Sequence, residues 1–287
     1  MLTLFSTPRP FKGSFNRIQR NSIESWKAVC PDCQIILFED EDGTTSKIAE
    51  ELRVECVKNR ESSKFGTPLL SSLFDIAKEK SKHEIIVQIS TDIILTNDFL
   101  PSVKKVVEAM GDKPFLMAGR RRDLNFEEKI DFTQKDWQIK IINLAEKKGR
   151  LHAPSAMDYW VLPRNMPLEF PKFIIGRPGT DSWLVYELRK RKISVINSTE
   201  AISAIHQNHN YPQKGKPFFA VEKAYNLKLA GGFMNLLTLR EADWILTKNG
   251  LEKPKFPQRI FSELALYYPW RLLILIKRKI DILLNRW

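Results

Sequence analysis

The 287-residue sequence has few cysteines and lacks several common signals. No apolar run is long enough to cross a bilayer. The N-terminal stretch MLTLFSTPRPFKG has too short an apolar part for a signal peptide, and no basic segment precedes it. Low-complexity segments and internal repeats are also absent from the sequence. We therefore expect an intracellular, cytoplasmic protein.

Only three cysteines are present, Cys30, Cys33 and Cys56. The first two have the CxxC spacing of a redox or zinc pair, but no second pair follows to complete four zinc ligands. We expect all three to be free thiols in a reducing compartment.

Basic residues exceed acidic residues, 46 to 34, which gives a net charge of +12. This excess favours an anionic partner: nucleic acid, an anionic membrane face or a phosphorylated substrate. A nucleic-acid-binding protein is one alternative. The arginines are not interleaved with an aromatic platform and no known binding motif occurs, so we expect no nucleic acid.

Strand-like and helical segments alternate through the first hundred residues, which predicts βαβ units and a largely parallel sheet with helices on both faces. In the helix predicted over 67–81, Thr67 is the expected cap and Pro68 the first helical residue. The middle of the chain is less regular, with a mostly helical segment over 127–150 and a helix beginning near Asp181. The predicted strands cover 2–7, 33–40, 54–59 and 84–90, and the other early helices cover 15–29, 44–52 and 99–110.

Polar residues stand at the carboxyl end of each of these four strands. In parallel sheets, ligands bind outside the carboxyl ends of the strands. The strand ends are therefore a candidate site: Ser6-Thr7-Pro8, Glu39-Asp40, Asn59-Arg60 and Ser90-Thr91-Asp92.

Four acidic or imidazole residues could carry chemistry. Asp92 suits a hard divalent cation shared with substrate phosphates, or it only terminates a strand. His206 and His209, in HQNH, could complete a metal shell, or they are ordinary surface or core-edge histidines. Asp181 could be a general base, or it could cap a helix, the role its local sequence favours.

Four arginines supply phosphate-binding groups: Arg120, Arg121, Arg122 and Arg177. The three in a row cannot all face one ligand from a strand, because side chains alternate. At most a subset would bind, and the other interpretation is a solvated basic edge.

The order of the motifs LFSTPRPF, IILFEDEDG, FGTPLLSSLFDIA, ISTDIILTNDF, DYWVLPR, FIIGRPGTDSW and AISAIHQNHNY resembles a family of uncharacterised GT-A-like nucleotide-diphospho-sugar transferases. The match covers roughly residues 3–250. The resemblance implies a GT-A fold, a Rossmann-like mixed sheet flanked by helices. It divides the domain, residues 1–255, into a nucleotide-binding half of about 1–123 and an acceptor half of about 124–255.

The resemblance also implies roles for individual residues. Ser90-Thr91-Asp92 matches an Asp-x-Asp-type motif whose first acid is missing, and Asp92 with His206 or His209 would hold Mn²⁺ or Mg²⁺. Asp181 would be the catalytic base, with Asp158 and Trp183 on the acceptor side. The expected nucleotide-sugar contacts are Thr7, Pro8, Asp40, Gly66, Thr67, Ser90, Thr91, Arg120 and Arg177.

The implied reaction moves a sugar from a nucleotide-diphospho-sugar to an acceptor hydroxyl, with metal assistance. The acceptor would be a glycan or a lipid-linked molecule. The lost first acid leaves open a degenerate protein of this fold that binds nucleotide-sugar without turning it over.

The C-terminal segment, 256–287, has the composition of a basic amphipathic helical tail. Basic residues alternate with an apolar set, and Trp270 and Trp287 flank it. It predicts either an in-plane helix on the inner face of an anionic membrane, or a helix docked on the domain or on a second copy.

Overall fold

The structure is a computed structural model that describes residues 2–232 and 235–267, together with Leu273, Ile276 and Ile280. Strands and helices alternate, as predicted. The strands are β1 Leu2–Ser6, β2 Gln34–Phe38, β3 Glu55–Val57, β4 Ile85–Ile89, β5 Ile93–Ile94, β6 Phe115–Ala118, β7 Arg122–Leu124, β8 Arg150–Leu151, β9 Tyr159–Pro163, β10 Ser194–Asn197, β11 Ile205–Gln207, β12 Trp244–Thr247 and β13 Gly250–Glu252. The helices are α1 Gly13–Val29, α2 Thr45–Leu52, α3 Leu70–Lys80, α4 Phe99–Met110, α5 Trp137–Lys148, α6 Thr180–Lys190, α7 Pro217–Leu229 and α8 Gln258–Leu264, with 3₁₀ turns at Pro212–Gly215 and Leu239–Glu241.

The main sheet has nine strands in the order β13-β12-β10-β6-β9-β4-β1-β2-β3. β4, β1, β2 and β3 pair in parallel, and β9 runs antiparallel between β4 and β6. A second sheet has the order β5-β11-β7-β8. The fold is therefore a mixed α/β sheet flanked by helices, as the sequence predicts.

The core lies on both faces of the main sheet, because successive side chains of a strand point to opposite faces. Leu4 of β1 packs into one cluster with Trp26 of α1. Its neighbour Phe5 packs into the other cluster with Phe74 of α3. Strands buried on both faces read as continuous apolar runs, which is why β1, β2 and β4 could be located from sequence.

Two helix starts differ from the prediction. α3 begins at Leu70, because Pro68 and Leu69 form antiparallel bridges with Ser62 and Ile174. Gly66 and Thr67 therefore lie in a loop and do not start the helix. The prediction of helix from 127 is wrong as well: α5 begins at Trp137, since loop residues before it are held by contacts such as the Ile130 N–H to Asn21 Oδ1 bond of 3.0 Å.

The prediction that all the cysteines are free is wrong for two of them. Cys30 and Cys33 form a disulfide just after α1, with their Cα atoms 5.4 Å apart. The turn between them is closed by the Cys33 N–H, which donates to the Cys30 carbonyl over 3.0 Å. Cys56 is free, as predicted.

The predicted tail over 256–287 is described only in part. α8 and the following residues to Tyr267 belong to it, and Leu273, Ile276 and Ile280 are exposed. The rest of the tail lies outside the described residues, so both interpretations of it stay predictions. Among the helices the structure describes, none combines the length and apolar character needed to cross a membrane. The cytoplasmic location stays a prediction too.

Candidate functional site

A cavity of about 680 Å³ opens at the carboxyl ends of β1 to β4. All four polar strand ends contribute to its wall, at the edge of the sheet where ligands of parallel sheets bind. Twelve of the predicted site residues line it: Thr7, Pro8, Asp40, Gly66, Thr67, Ser90, Thr91, Asp92, Asp158, Arg177, Asp181 and His209.

Asp92 and the two histidines come together at one side of this cavity. His209 Nε2 lies 2.9 Å from Asp92 Oδ2, and His206 Nε2 lies 3.4 Å from the same oxygen. One ligand atom from each residue lies within 4.8 Å of the others. Burial opposes the charge on Asp92, yet the two imidazoles hold the pKa of its carboxyl well below its usual range.

The other nitrogen of each imidazole is already engaged. His209 Nδ1 donates to the Asn210 carbonyl over 2.9 Å, and His206 Nδ1 lies 3.1 Å from Asp123 Oδ1. Both Nε2 atoms therefore face Asp92, which is the usual arrangement of metal-bound histidines. Burial alone would lower the pKa of His206, but Asp92 and Asp123 raise it to about 9.

Asp123 is a central residue that the sequence analysis did not select. It accepts a hydrogen bond of 2.8 Å from Arg121 Nε and also contacts His152 Nδ1. Burial would raise the pKa of its carboxyl, but the hydrogen bonds from His152 and His206 hold it well below the usual range. The carboxylate is thus kept ionised behind His206.

Unpartnered polar atoms concentrate at the cavity. Among the described residues, five buried side-chain nitrogen or oxygen atoms have no hydrogen-bond partner. Buried polar groups are nearly always paired, so such atoms mark places where a ligand or water binds. Four of the five belong to residues that line the cavity: Arg60 Nε, Asp92 Oδ1, Asp158 Oδ2 and Trp160 Nε1.

The Asp92 cluster fits a divalent cation. It offers one carboxylate and two imidazole nitrogens, and the free Oδ1 of Asp92 is an oxygen ligand without a partner. Mn²⁺ accepts this mixture, whereas Mg²⁺ prefers oxygen alone. The open cavity beside the cluster leaves the remaining positions to substrate or water.

A pair of carboxyl groups, those of Asp158 and Asp181, lies in the same cavity. Arg121 Nη1 donates to Asp158 Oδ1 over 2.7 Å, and burial raises the pKa of Asp158. Burial and repulsion from Asp158 together raise the pKa of Asp181 to about 8.

Asp181 does not cap its helix, so the prediction of a helix-capping role is wrong. α6 begins at Thr180, and Gly179 is the residue at its N-cap. The Asp181 carboxylate instead accepts the Met157 N–H over 3.3 Å, across the cavity wall. A backbone contact from another segment holds it towards the site.

Asp40 lines the cavity, but its carboxylate is fully used by its own loop. Its Oδ2 accepts the N–H groups of Thr44 and Thr45 over 2.8 and 2.6 Å, and its Oδ1 accepts the Asp42 N–H. Burial would raise the pKa of Asp40, but these bonds lower it. The residue fastens the start of α2 beside the cavity.

Of the four arginines selected from sequence, Arg121 and Arg177 line the cavity, whereas Arg120 and Arg122 do not. Arg120 turns away and donates through Nε to the His152 carbonyl. Arg177 is buried and paired with Glu222, its Nη2 lying 2.6 Å from Oε2.

Two other predicted residues also stand apart from the cavity wall. Trp183 packs in the core against Phe173, because it lies two positions beyond Asp181 and so points to another side of α6. His206 lies behind the wall and reaches the site through Asp92.

Comparisons with known proteins give only distant likenesses. No protein-family model matches the chain. No curated protein matches it either. Among solved structures, the chain is similar to glucosyl-3-phosphoglycerate synthase from Mycobacterium tuberculosis in complex with Mg²⁺ and uridine-diphosphate, at 14% identity over 81% of this chain and 80% of that chain, with a TM-score of 0.46.

The chain is also similar to TarS of S. aureus. The complex of TarS 1-349 with UDP-GlcNAc matches at 14% identity over 45% of this chain, which spans only 36% of that chain, with a TM-score of 0.33. TarS 1-349 alone matches at 10% identity over 80% of this chain and 69% of that chain, with a TM-score of 0.42. Such distant likenesses carry no argument about activity.

Several cavity residues were not selected from sequence. These residues are Arg9, Lys214, Lys216 and Trp160. Arg9 alone had a sequence signal, since it directly follows the strand end at Thr7-Pro8. The others reach the cavity only through tertiary packing.

Proposed function

We propose that the protein is a glycosyltransferase that moves a sugar from a nucleotide-diphospho-sugar to an acceptor hydroxyl. The observation that carries this proposal is the cavity itself. It joins a cation-type cluster, with the unpartnered Oδ1 of Asp92, to a buried carboxyl pair, Asp158 and Asp181. A donor diphosphate and an acceptor hydroxyl need these two kinds of group in one place.

The donor half of the site would use both charge and shape. Asp92, His206 and His209 would hold Mn²⁺ or Mg²⁺, which compensates the negative charge of a diphosphate leaving group when bound. Guanidinium groups pair bidentately with phosphate, and Arg9, Arg60, Arg121 and Arg177 line the cavity. The nucleoside would contact the strand ends and the loop after β3, at Thr7, Pro8, Gly66, Thr67, Ser90 and Thr91.

The acceptor half would supply the base. The Asp181 carboxylate would take the proton of the acceptor hydroxyl. The hydroxyl oxygen would bond to the anomeric carbon of the sugar as the bond from that carbon to the diphosphate breaks. Burial beside Asp158 raises the proton affinity of Asp181, which suits this task. The acceptor would be a glycan or a lipid-linked molecule.

Calorimetry with UDP- and GDP-sugars, with and without Mn²⁺, tests the donor site. We expect binding that Mn²⁺ strengthens, and we expect Asp92→Asn to lose that metal-dependent part. Asp75→Asn, at an exposed position of α3, is the matched control and should bind as the unchanged protein does. No binding of any nucleotide-sugar would overturn the proposal.

The alternative is a protein that binds nucleotide-sugar without turnover. The observation that favours it is Ser90, which stands where the resemblance implies an acid. Asp181→Asn separates the two: for a transferase it should keep donor binding and lose sugar transfer and donor hydrolysis. Donor binding without transfer or hydrolysis in the unchanged protein would favour the alternative.

A further inference from the structure

Helix α7 is folded with polar side chains inwards. Its buried residues are Glu222 and Asn226. Glu222 pairs with Arg177, and the Asn226 amide exchanges two hydrogen bonds of 2.9 Å with the backbone of Ile174. A surface helix normally turns its apolar side to the core. Because polar contacts fasten α7, apolar side chains are left outside.

The outer side of α7 carries Phe218, Val221 and Tyr225, spaced three and four apart and therefore aligned. Val221 is 51% exposed and Tyr225 is 44% exposed. Phe65, from the loop before α3, extends the row, since its ring centroid lies 5.7 Å from that of Phe218. We call these four residues the α7 face. Phe65 and Phe218 also line the cavity, so the face reaches the cavity mouth.

Three lysines lie beside the α7 face or near the ends of α7. Lys64 Nζ lies 5.0 Å from the ring centroid of Phe65, and the exposed Lys216 and Lys228 stand before and near the end of α7. The sole acid of segment 212–232 is Glu222, which is buried, so every exposed charged side chain of that segment is positive.

We propose that the α7 face binds the surface of an anionic lipid bilayer. Aromatic and aliphatic side chains would enter the headgroup boundary while the lysines meet lipid phosphates, as in interfacial amphipathic helices. Lysine is depleted from protein–protein interfaces, so these lysines favour a lipid surface over a protein partner.

The contact would turn the cavity mouth towards the membrane. A lipid-linked acceptor could then reach Asp181 without leaving the bilayer surface. This consequence for the acceptor rests on the proposed function, whereas the membrane contact itself does not.

Co-sedimentation of the full chain with phosphatidylcholine vesicles, with and without phosphatidylserine, tests the α7 face in the absence of any donor. Val221→Glu places a charge on the face, and Lys228→Glu reverses one at its edge. We expect each to weaken binding to the anionic vesicles by at least about fivefold, since one basic residue near such a surface contributes about that factor. Ile139→Glu, at a 62% exposed position of α5, is the matched control and should bind as before.

Thermal unfolding of each variant shows that it is folded. Unchanged vesicle binding by Val221→Glu and Lys228→Glu, or equal binding of the unchanged protein to neutral vesicles, would overturn the proposal. So would a dimer in analytical ultracentrifugation that Val221→Glu dissociates while vesicle binding stays the same. A chain that binds anionic vesicles but transfers no sugar would leave this proposal intact and reject the proposed function alone.

Discussion

Asp123 contacts His206, one of the three predicted cation ligands, from behind. Its carboxylate contacts His206 Nδ1 and is itself held by Arg121 and His152. Removing such a group from behind a metal-binding histidine typically lowers metal affinity 10- to 100-fold.

We therefore expect Asp123→Ala to weaken Mn²⁺ binding by about 10- to 100-fold in a direct titration. Asp123→Asn keeps an oxygen acceptor for His206 and should weaken Mn²⁺ binding less. Asp75→Asn serves again as control. Mn²⁺ affinity in Asp123→Ala equal to that of the unchanged protein would show that His206 is oriented without Asp123.

The raised pKa of Asp181 predicts the pH dependence of transfer. Because its pKa is raised from 3.8 to about 8, the ionised, basic form accumulates only as the pH rises through about 8. We expect kcat/KM to rise with pH up to that point and then to level off.

Asp158→Asn removes the nearby like charge, so the rising limb should move to lower pH. If the rising limb of the pH profile stays in place, another group is the base.

The raised pKa of Asp181 also affects stability, because the folded state binds the proton more tightly than the unfolded state. Protonated Asp181 thus contributes to the free energy of unfolding. This contribution is fully present below pH 3.8 and is lost as the pH rises through about 8.

At the scale of elements, the loop before α2 depends on Asp40. Its carboxylate accepts backbone N–H groups of three residues, and a hydrogen bond to a charged group contributes about 1.5–3 kcal/mol. We expect Asp40→Ala to lower the free energy of unfolding at pH 7 by about 2 kcal/mol, measured by urea denaturation.

The sign of the pH dependence follows from the lowered pKa of Asp40. Its contribution is present above the ordinary value of 3.8 and is lost as the pH falls, so the variant and the unchanged protein should converge in acid. Asp42→Asn, in the same loop, keeps the backbone N–H and should leave the unfolding curve nearly unchanged. A large effect from Asp42→Asn would shift the explanation to its contact with Lys12.

The small second sheet explains what the sequence could and could not predict. β11 pairs with β7 in the register that sets His206 beside Asp123, and with β5, which directly follows Asp92. These strands are two or three residues long, too short to show a period of two. Asp92, His206 and His209 could be selected by chemistry and by the family resemblance, but Asp123 needs the pairing.

The long buried strands were predictable for the opposite reason. The apolar runs of β1, β2 and β4 are unmistakable, and they fix where three of the four polar strand ends must meet. Trp183 could not be excluded from the site in this way, because its place depends on the rotation of α6 about its axis.

At the scale of the whole molecule, the cavity draws on residues from Thr7 to Phe219. Its walls come from both predicted halves, 1–123 and 124–255, so neither half contains the site alone. The net charge of +12 suits an anionic ligand, and basic side chains at the cavity place part of that charge at the site.

The three cysteines are in two different states, bonded and free. Bonds such as Cys30–Cys33 are uncommon in the reducing cytosol, where thiols are kept free. Cys56, by contrast, has the pKa of its thiol raised to about 11 by burial and by Glu39, which keeps it protonated and unreactive.

Trp160 places a fluorescent side chain in the wall of the cavity. Its indole ring lies nearly parallel to the rings of Phe74 and Phe170, at centroid distances of 6.2 and 6.3 Å. Trp160 lines the cavity, and its buried Nε1 has no hydrogen-bond partner. A ligand that accepts this hydrogen bond would change the surroundings of the chromophore directly. The protein thus carries an intrinsic fluorophore at the place where we expect its substrate, and binding could be followed without any label.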